Sequence, residues 1–445
     1  MVCNRPVLAL IWSELDLLVQ TSYYTVVEER LRSYIAEWLT SPLPNVIRRD
    51  ISLPLDKDYI ITVTGGRRSG KTFTLYQTIQ DIIKSGLASH DEILYVDFED
   101  YRLKGFKVED LDKILTIFVE LTGKQPRYIF LDEVQNVENY GSWFRKRLTS
   151  RVYLSGSSSL LTPLRIAEEL RGRSVNYEVF PLSFKEFLRF KSFEYNRLIE
   201  YTFERGKILS LLREYLYYGS YPAVVLEKEN NEKIRLLKSY FDSIIVRDFS
   251  TIKADIASLF ANYLISNYAR PTTINKVYEY MRSLGIKIGK ETVIELFNRA
   301  KETYFSFFVE EFEKSERKRK ANLKKLYIID TGYPTALGYE FSISNAMENL
   351  VYIELLRRGY REVFYWRGKR DVDFVVAKNF NPITLIQVTY ATDKVEDREV
   401  EAIIEAKSEL KVDNATIITW DYEDEIKGIK AIPMWKWLLG EDNLV

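Results

Sequence analysis

The stretch Thr64-Gly65-Gly66-Arg67-Arg68-Ser69-Gly70-Lys71-Thr72 governs how the rest of the chain is read. It fits G-x-x-x-x-G-K-[ST], and its flanks give the match its meaning. Tyr59-Ile60-Ile61-Thr62-Val63 before it is apolar and β-branched, the mark of a buried parallel strand. Residues 73–84 after it carry Leu75, Ile79, Ile82 and Ile83 at helical spacing. Strand, glycine loop and helix in this order aim several backbone N–H groups and a helix N-terminus at one phosphate. Gly65, Gly66, Arg67, Arg68, Ser69, Gly70, Lys71 and Thr72 are therefore the expected nucleotide-binding set. Within it, Lys71 is expected to reach the β- and γ-phosphates and the Thr72 hydroxyl to ligate Mg2+.

Beyond this stretch, four more apolar runs read as strands. Residues 92–97 end in an acidic cluster, Asp97, Glu99 and Asp100. Residues 127–131 end in Asp132-Glu133, residues 151–154 in Ser155-Gly156-Ser157-Ser158, and residues 175–180 precede Pro181. Strands alternating with helices predict a parallel sheet covered on both faces, with its ligand beyond the strands' C-terminal ends. Downstream of a phosphate loop, Asp132 is expected to hold Mg2+ and Glu133 to orient the attacking water. Ser157 or Ser158 stands where a polar sensor would feel the γ-phosphate. Arg171 and Arg173 either supply transition-state charge, in cis or from a neighbouring subunit, or are ordinary surface arginines.

At 445 residues the chain exceeds one ordinary core, so two or three domains are expected. Lys+Arg and Asp+Glu balance at 64 each, so any nucleic-acid surface has to be local. One cysteine, Cys3, excludes an intramolecular disulfide and suits a reducing cytoplasm. One histidine, His90, leaves zinc chemistry and Ser-His-Asp hydrolysis almost without candidates, and its polar turn reads as solvated. The apolar residues 7–12 are too few, and too close to Glu14 and Asp16, to span a bilayer. Residues 24–38 carry Val26, Val27, Leu31, Tyr34 and Ile35 on one helical face.

Several strings together are similar to one family. They are Gly65 to Thr72, Ile129-Phe130-Leu131-Asp132-Glu133-Val134-Gln135, Leu154-Ser155-Gly156-Ser157-Ser158, Gly172-Arg173 and Pro181-Leu182-Ser183-Phe184-Lys185-Glu186-Phe187. Tyr218-Gly219-Ser220-Tyr221-Pro222 and Ile245-Val246-Arg247-Asp248 extend the likeness through the middle of the chain. The chain resembles the prokaryotic, mainly archaeal, AAA-type ATPases fused to a C-terminal domain of unknown function. The resemblance implies ATP and Mg2+ as ligands and supplies no client.

From about residue 205 to 340 the pattern turns to helices with short turns. Helices are expected at 255–266, 273–284 and 291–304, then strands at 305–312 and 326–329. Three helices followed by a β-hairpin is the winged-helix order, with which the resemblance agrees. The hairpin loop, residues 313–325, holds seven basic residues against two acidic ones. Lys314, Arg317, Lys318, Arg319 and Lys320 are its candidate DNA contacts, with Lys324 and Lys325 closing the run. Against base reading, Glu291, Glu295 and Glu302 lie on the exposed surface of the third helix. A solvated basic loop and a protein-docking surface are the alternatives.

The C-terminal pattern is a helix at 345–358, strands at 363–366, 371–376 and 384–389, a helix and a late strand at 415–419. This resembles the PD-(D/E)XK nuclease fold, which implies Asp373 and Gln387 as metal ligands and Glu348 as a supporting acid. The resemblance expects a lysine two residues after the second ligand, and Thr389 stands there. Metal binding at Asp373 and Gln387 is thus expected to be weak or vestigial, nuclease activity is not expected, and Lys369, Lys378 or Lys394 are the substitutes to check.

The expected protein is α/β throughout. An ATPase domain with a parallel sheet spans residues 1–200, a helical and winged-helix region 201–340, and a nuclease-like domain 341–445. The expected catalytic set is Lys71, Glu133, Ser157 and Arg173. The expected function is a cytoplasmic, nucleotide-driven, DNA-associated switch without membrane partners. An unknown protein partner and a homo-oligomer both remain open to it. A protein-directed ATPase switch and an ATP-gated nuclease are the competing readings.

Overall fold

A computed structural model describes residues 28–144, 149–156, 169–170, 172–196 and 198–440. Cys3, residues 7–12, Ser157, Ser158 and Arg171 lie outside the described residues. The chain divides into two compact units, one of residues 1–64 with 71–177 and one of 65–70 with 178–445.

The first unit is built on β1 (Ile60–Thr64), β2 (Ile93–Asp97), β3 (Tyr128–Asp132), β4 (Arg151–Ser155) and β5 (Ser174–Glu178). Their order is β2-β3-β4-β1-β5, and β2, β3, β4 and β1 pair in parallel. The register sets Asp97 beside Asp132, so the two acidic strand ends lie next to each other. Parallel strands buried on both faces need continuous apolar runs, as in Tyr128-Ile129-Phe130-Leu131, where every residue is buried. Helix α1 (residues 28–40) buries Leu31 and Ile35, while α2 (Lys71–Lys84) buries Leu75, Ile79 and Ile82. Helix α3 (Leu111–Thr122) buries Ile114, Ile117 and Phe118 and stops at Gly123, whose φ of 70° is left-handed. His90, expected to be solvated, packs edge-on against Trp38 with ring centroids 4.7 Å apart, and burial lowers its pKa.

In the second unit, a short helix at Phe184–Phe190 is followed by the helices α4 (Glu204–Tyr218), α5 (Asn230–Asp248), α6 (Ala254–Ser266), α7 (Ile274–Ser283) and α8 (Lys290–Glu302). The short strand β6 (Arg270–Thr272) falls between α6 and α7, and β7 (Ser306–Val309) and β8 (Lys324–Ile328) follow α8. These three strands form an antiparallel sheet ordered β6-β8-β7. Thr273 caps α7 by accepting from the Lys276 N–H, the end expected from sequence. The expected hairpin loop differs. Ser315 caps a short helix, Glu316–Ala321, and Lys324 and Lys325 belong to β8 itself.

Helix α9 (Ile343–Arg357) then leads into β9 (Glu362–Arg367), β10 (Asp371–Lys378) and β11 (Asn381–Thr389), followed by helix α10 (Asp397–Leu410). With β12 (Ala415–Thr419), β13 (Asp424–Ile426) and β14 (Ile429–Pro433) they make a mixed sheet ordered β13-β14-β12-β11-β10-β9. One apolar cluster runs from Phe180 through the helices to Leu438, so the expected middle and C-terminal domains share a core. Asp330 stitches that core. Its carboxylate accepts from the Ser220 N–H at 2.7 Å, the Ser220 hydroxyl at 2.8 Å and the Gly332 N–H at 2.9 Å. A Cβ on Gly219 would stand 1.7 Å from the same carboxylate, and φ there is +78°, so only glycine fits.

Candidate functional site

In the first unit, β1 ends at Thr64 and α2 begins at Lys71, which brings Lys71 and Thr72 to the helix N-terminus. Across the sheet, Asp132 is 1 % exposed at the end of β3. Its Oδ2 accepts from the Tyr95 hydroxyl at 3.1 Å, and the hydroxyls of Ser155 and Thr72 also reach its carboxylate. Burial, with the Glu133 charge beside it, raises the Asp132 pKa. Burial also pushes Asp97 up to about 6, helped by the neighbouring charges of Asp132, Glu99 and Glu133. Glu133 has φ of +50°, a left-handed conformation that costs a non-glycine residue about 1 kcal/mol or more. Its carboxylate accepts a bond from the Gln135 amide, which fixes its direction. A buried acid joined to the threonine that follows Lys71 is the donor set Mg2+ takes beside a nucleotide's phosphates, so these residues fit Mg2+ with ATP.

The loop Gly65–Gly70 packs within the second unit. A Cβ on Gly65 would stand 2.1 Å from the Val179 carbonyl oxygen, at a φ of +150°, which explains glycine at the motif's first position. Gly66 faces Ile329 and Tyr304. The Arg67 Nε donates to Asp248 Oδ1 at 2.7 Å, and the Asp248 side chain is 2 % exposed. The Arg68 guanidinium lies 5.4 Å from the centroid of the Tyr240 ring. Both loop arginines thus hold helix α5 with their side chains.

A second cluster lies where β8, α9, β10 and β11 meet. The register of β9 against β10 slips between Val372 and Val375, and this irregularity contains Asp373. The Lys325 ammonium donates to Asp373 Oδ1 at 2.8 Å and to Glu348 Oε1 at 3.0 Å. The Tyr327 hydroxyl donates to the same Glu348 oxygen at 2.7 Å, and the Val388 N–H to Asp373 Oδ2 at 2.9 Å. Gln387 Oε1 accepts from the Asp373 N–H at 3.1 Å, while its amide donates to Glu399 Oε2 at 2.6 Å. Burial, and then Asp373, push Glu348 up to about 7. The two carboxylates outweigh the cost of burying Lys325 and hold its pKa above the usual lysine value.

Three family models cover most of the chain. Residues 57–188 match an AAA domain, residues 209–342 a domain of unknown function (DUF8612), and residues 344–437 another (DUF4143). Over 415 residues the chain is 32% identical to uncharacterized protein MJ1544 of Methanocaldococcus jannaschii, covering 88% of this chain and 91% of the relative. The chain belongs to this family. An uncharacterized Haemophilus influenzae protein is 27% identical over 397 residues, covering 86% of this chain and 95% of its own length. Among solved structures, Orc1 of Aeropyrum pernix in complex with DNA aligns at a TM-score of 0.29 and 13% identity, covering 75% of this chain and 93% of that one. AMPPCP-bound DnaA from Aquifex aeolicus aligns at 0.23 and 18% identity, covering 55% and 82%. Likeness at these scores sets no constraint on what this chain does.

Within the AAA domain the structure brings Thr72, Asp132 and Glu133 to one end of the sheet, and it adds Tyr95, Ser155 and Gln135, which sequence reasoning did not assign. Arg173 is exposed, and its carbonyl accepts from the Ile60 N–H at the start of β1. In the C-terminal centre, Lys369, Lys378 and Lys394 are all exposed, and the lysine that enters is Lys325. Asp373 and Gln387, expected as metal ligands, are instead engaged by Lys325, by backbone N–H groups and by Glu399. The basic run is partly neutralised. Lys318 pairs with Glu313, Lys320 with Glu316 and Lys324 with Glu310, and Arg319 lies over the Phe380 ring. Lys314, Arg317, Lys318 and Lys320 remain exposed. No helix among the described residues is long and apolar enough to cross a membrane.

Proposed function

We propose that the protein is an ATP-hydrolysing switch in which the state of the phosphate loop is passed to helix α5. The observation that carries this is the convergence of Tyr95, Ser155, the Glu133 N–H and Thr72, the neighbour of Lys71 in sequence, on the buried Asp132 carboxylate. The loop's N–H groups, the N-terminus of α2 and Lys71 would hold the triphosphate, and Thr72 and Asp132 would hold Mg2+. Bound Mg2+ supplies neutralising charge to the phosphoryl oxygens. Glu133 accepts a hydrogen bond from water and sets it in line, with Gln135 fixing the carboxylate. Tyr95 and Ser155 donate to Asp132 and keep it oriented. When the γ-phosphate leaves, the loop loses a ligand of its backbone, and the Arg67–Asp248 and Arg68–Tyr240 contacts carry that change to α5. Turnover by Glu133→Gln against the parent, with binding of a fluorescent ATP analogue to both, tests the assignment. The variant should bind and fail to hydrolyse.

Double-stranded DNA is the second reading for the output, carried by the exposed Lys314, Arg317, Lys318 and Lys320. Three helices with β6, β7 and β8 in the order α6-β6-α7-α8-β7-β8 follow the winged-helix plan, with the short basic helix in the wing. Glu310, Glu313 and Glu316 among these cations, and Glu291, Glu295 and Glu302 on α8, favour a protein partner over base reading. Binding to duplex DNA across a salt series separates the two, because phosphate contacts lose affinity steeply with salt.

A further inference from the structure

A divalent-cation site needs several oxygen lone pairs turned toward one open point. The fold that the C-terminal sheet resembles would place Asp373 and Gln387 around such a point, with Glu348 behind them. In this chain both Asp373 oxygens and one Glu348 oxygen already accept hydrogen bonds, and an ammonium stands between the two carboxylates. Asp373 spends Oδ1 on Lys325 and Oδ2 on the Val388 N–H. Glu348 Oε1 takes both the ammonium and the Tyr327 hydroxyl. Gln387 turns its carbonyl oxygen to the Asp373 N–H and its amide to Glu399. No group of three metal-ligating acids, cysteines or histidines is found among the described residues. The side chains present do not fit a metal.

The cation that does sit there comes from another sheet. Lys325 and Tyr327 alternate along β8, so both face α9 and β10, and the Lys325 side chain is 7 % exposed. Lys325 belongs to the stretch matched by one domain of unknown function, while Glu348 and Asp373 belong to the other. Two further contacts cross at the same place. The Tyr365 hydroxyl donates to the Leu323 carbonyl at 2.7 Å, and the Phe312 N–H to the Tyr365 carbonyl at 2.7 Å.

We propose that Lys325 is the built-in cation of the C-terminal centre. It fills the place of a divalent ion between Glu348 and Asp373 and pins the β6-β8-β7 sheet to the C-terminal sheet. The native protein therefore takes no metal at Asp373 and performs no metal-dependent phosphodiester cleavage there. The proposal is independent of the ATPase reading. Either can fail alone.

The test is Mn2+ titration of the full-length, nucleotide-free chain followed by electron paramagnetic resonance, with Asp373→Asn as the control for ions bound elsewhere. The parent and Asp373→Asn should bind Mn2+ equally. Lys325→Met keeps the side-chain stem and removes the charge. It should acquire Mn2+ binding that disappears in the Lys325→Met/Asp373→Asn double variant, and Mn2+ should raise its melting temperature while leaving the parent's unchanged. Mn2+ binding or DNA cleavage by the parent that is lost in Asp373→Asn would overturn the proposal. So would a folded Lys325→Met that gains no Asp373-dependent ion. Should Lys325→Met fail to fold, Lys325→Arg decides with the parent titration. It keeps the charge, so it should fold and show no Asp373-dependent Mn2+, and the appearance of such binding would count against the proposal.

Discussion

The nucleotide site and the C-terminal centre both bury a strand carboxylate, yet they answer the charge in opposite ways. Around Asp132 the neighbours are hydroxyls from Tyr95, Ser155 and Thr72, uncharged donors that orient the acid. Around Asp373 the neighbour is a full ammonium, Lys325, buried with it. Hydroxyls leave a buried acid in need of a cation from outside. A lysine satisfies the need from within. The difference separates a site prepared for Mg2+ with ATP from one closed against metal, although each is built on a buried aspartate of a sheet strand.

The contrast is tested most directly at Glu133. Glu133→Gln should lower ATP turnover by about 10²–10³-fold while nucleotide binding survives, and Lys71→Ala should weaken binding itself. Turnover of Glu133→Gln equal to the parent would remove the catalytic assignment. On the other side, Lys325→Met should cost about 3–5 kcal/mol in chemical denaturation near neutral pH, because Asp373 and Glu348 lose their shared cation while buried. A change within the error of the parent's curve would show that the ion pair contributes nothing net.

Asp330 adds a third case, a buried acid with hydrogen bonds and no cation. Burial pushes it up to about 6, against an ordinary value of 3.8. Between those values the folded state holds more protons than the unfolded one, so stability falls as pH rises toward 6 and this contribution is constant above it. The shift corresponds to about 3 kcal/mol across the window. Asp97 and Glu348 are shifted with the same sign, so the comparison is between the parent and Asp330→Asn, both of which keep them. The variant's denaturation free energy should lose most of this pH dependence, and an unchanged slope from about pH 4 to 6 would exclude the assignment.

Arg67→Ala should cost about 1–3 kcal/mol, since Asp248 stays buried after losing one charged donor. It should also uncouple nucleotide from α5, read as loss of the ATP-induced change in hydrogen exchange over residues 230–248. The smallest effect belongs to the quadruple change of Lys314, Arg317, Lys318 and Lys320 to Ala. Stability and basal turnover should stay nearly constant, because these side chains are exposed. Any DNA affinity should fall for all sequences alike, with a flatter salt slope.

Much of this is legible along the chain. A phosphate loop carries its geometry in contiguous residues, so strand, loop and helix follow from the run 59–84 with no knowledge of the rest. Apolar runs and stripes of period 3.6 likewise locate the strands of the parallel sheet, β7 to β12 and the helices from α6 to α9. What the chain order hides are pairings between distant charges. Lys325 stands at the end of a basic run and reads as solvent-facing. Its alternation with Tyr327 in Lys-Lys-Leu-Tyr-Ile is the one local sign that it faces inward. Ser155 is easily missed beside Ser157 and Ser158, because strand ends are uncertain by a residue or two. Arg67 and Arg68 read along the chain as parts of the phosphate loop, and only the positions of Asp248 and Tyr240 show where their side chains go. Local backbone preference and hydrophobic periodicity are properties of neighbours in sequence, so sequence alone determined the elements and the nucleotide motif. The partner of a buried charge is set by which strands and helices the topology brings within about 3 Å, and that only the tertiary structure decided.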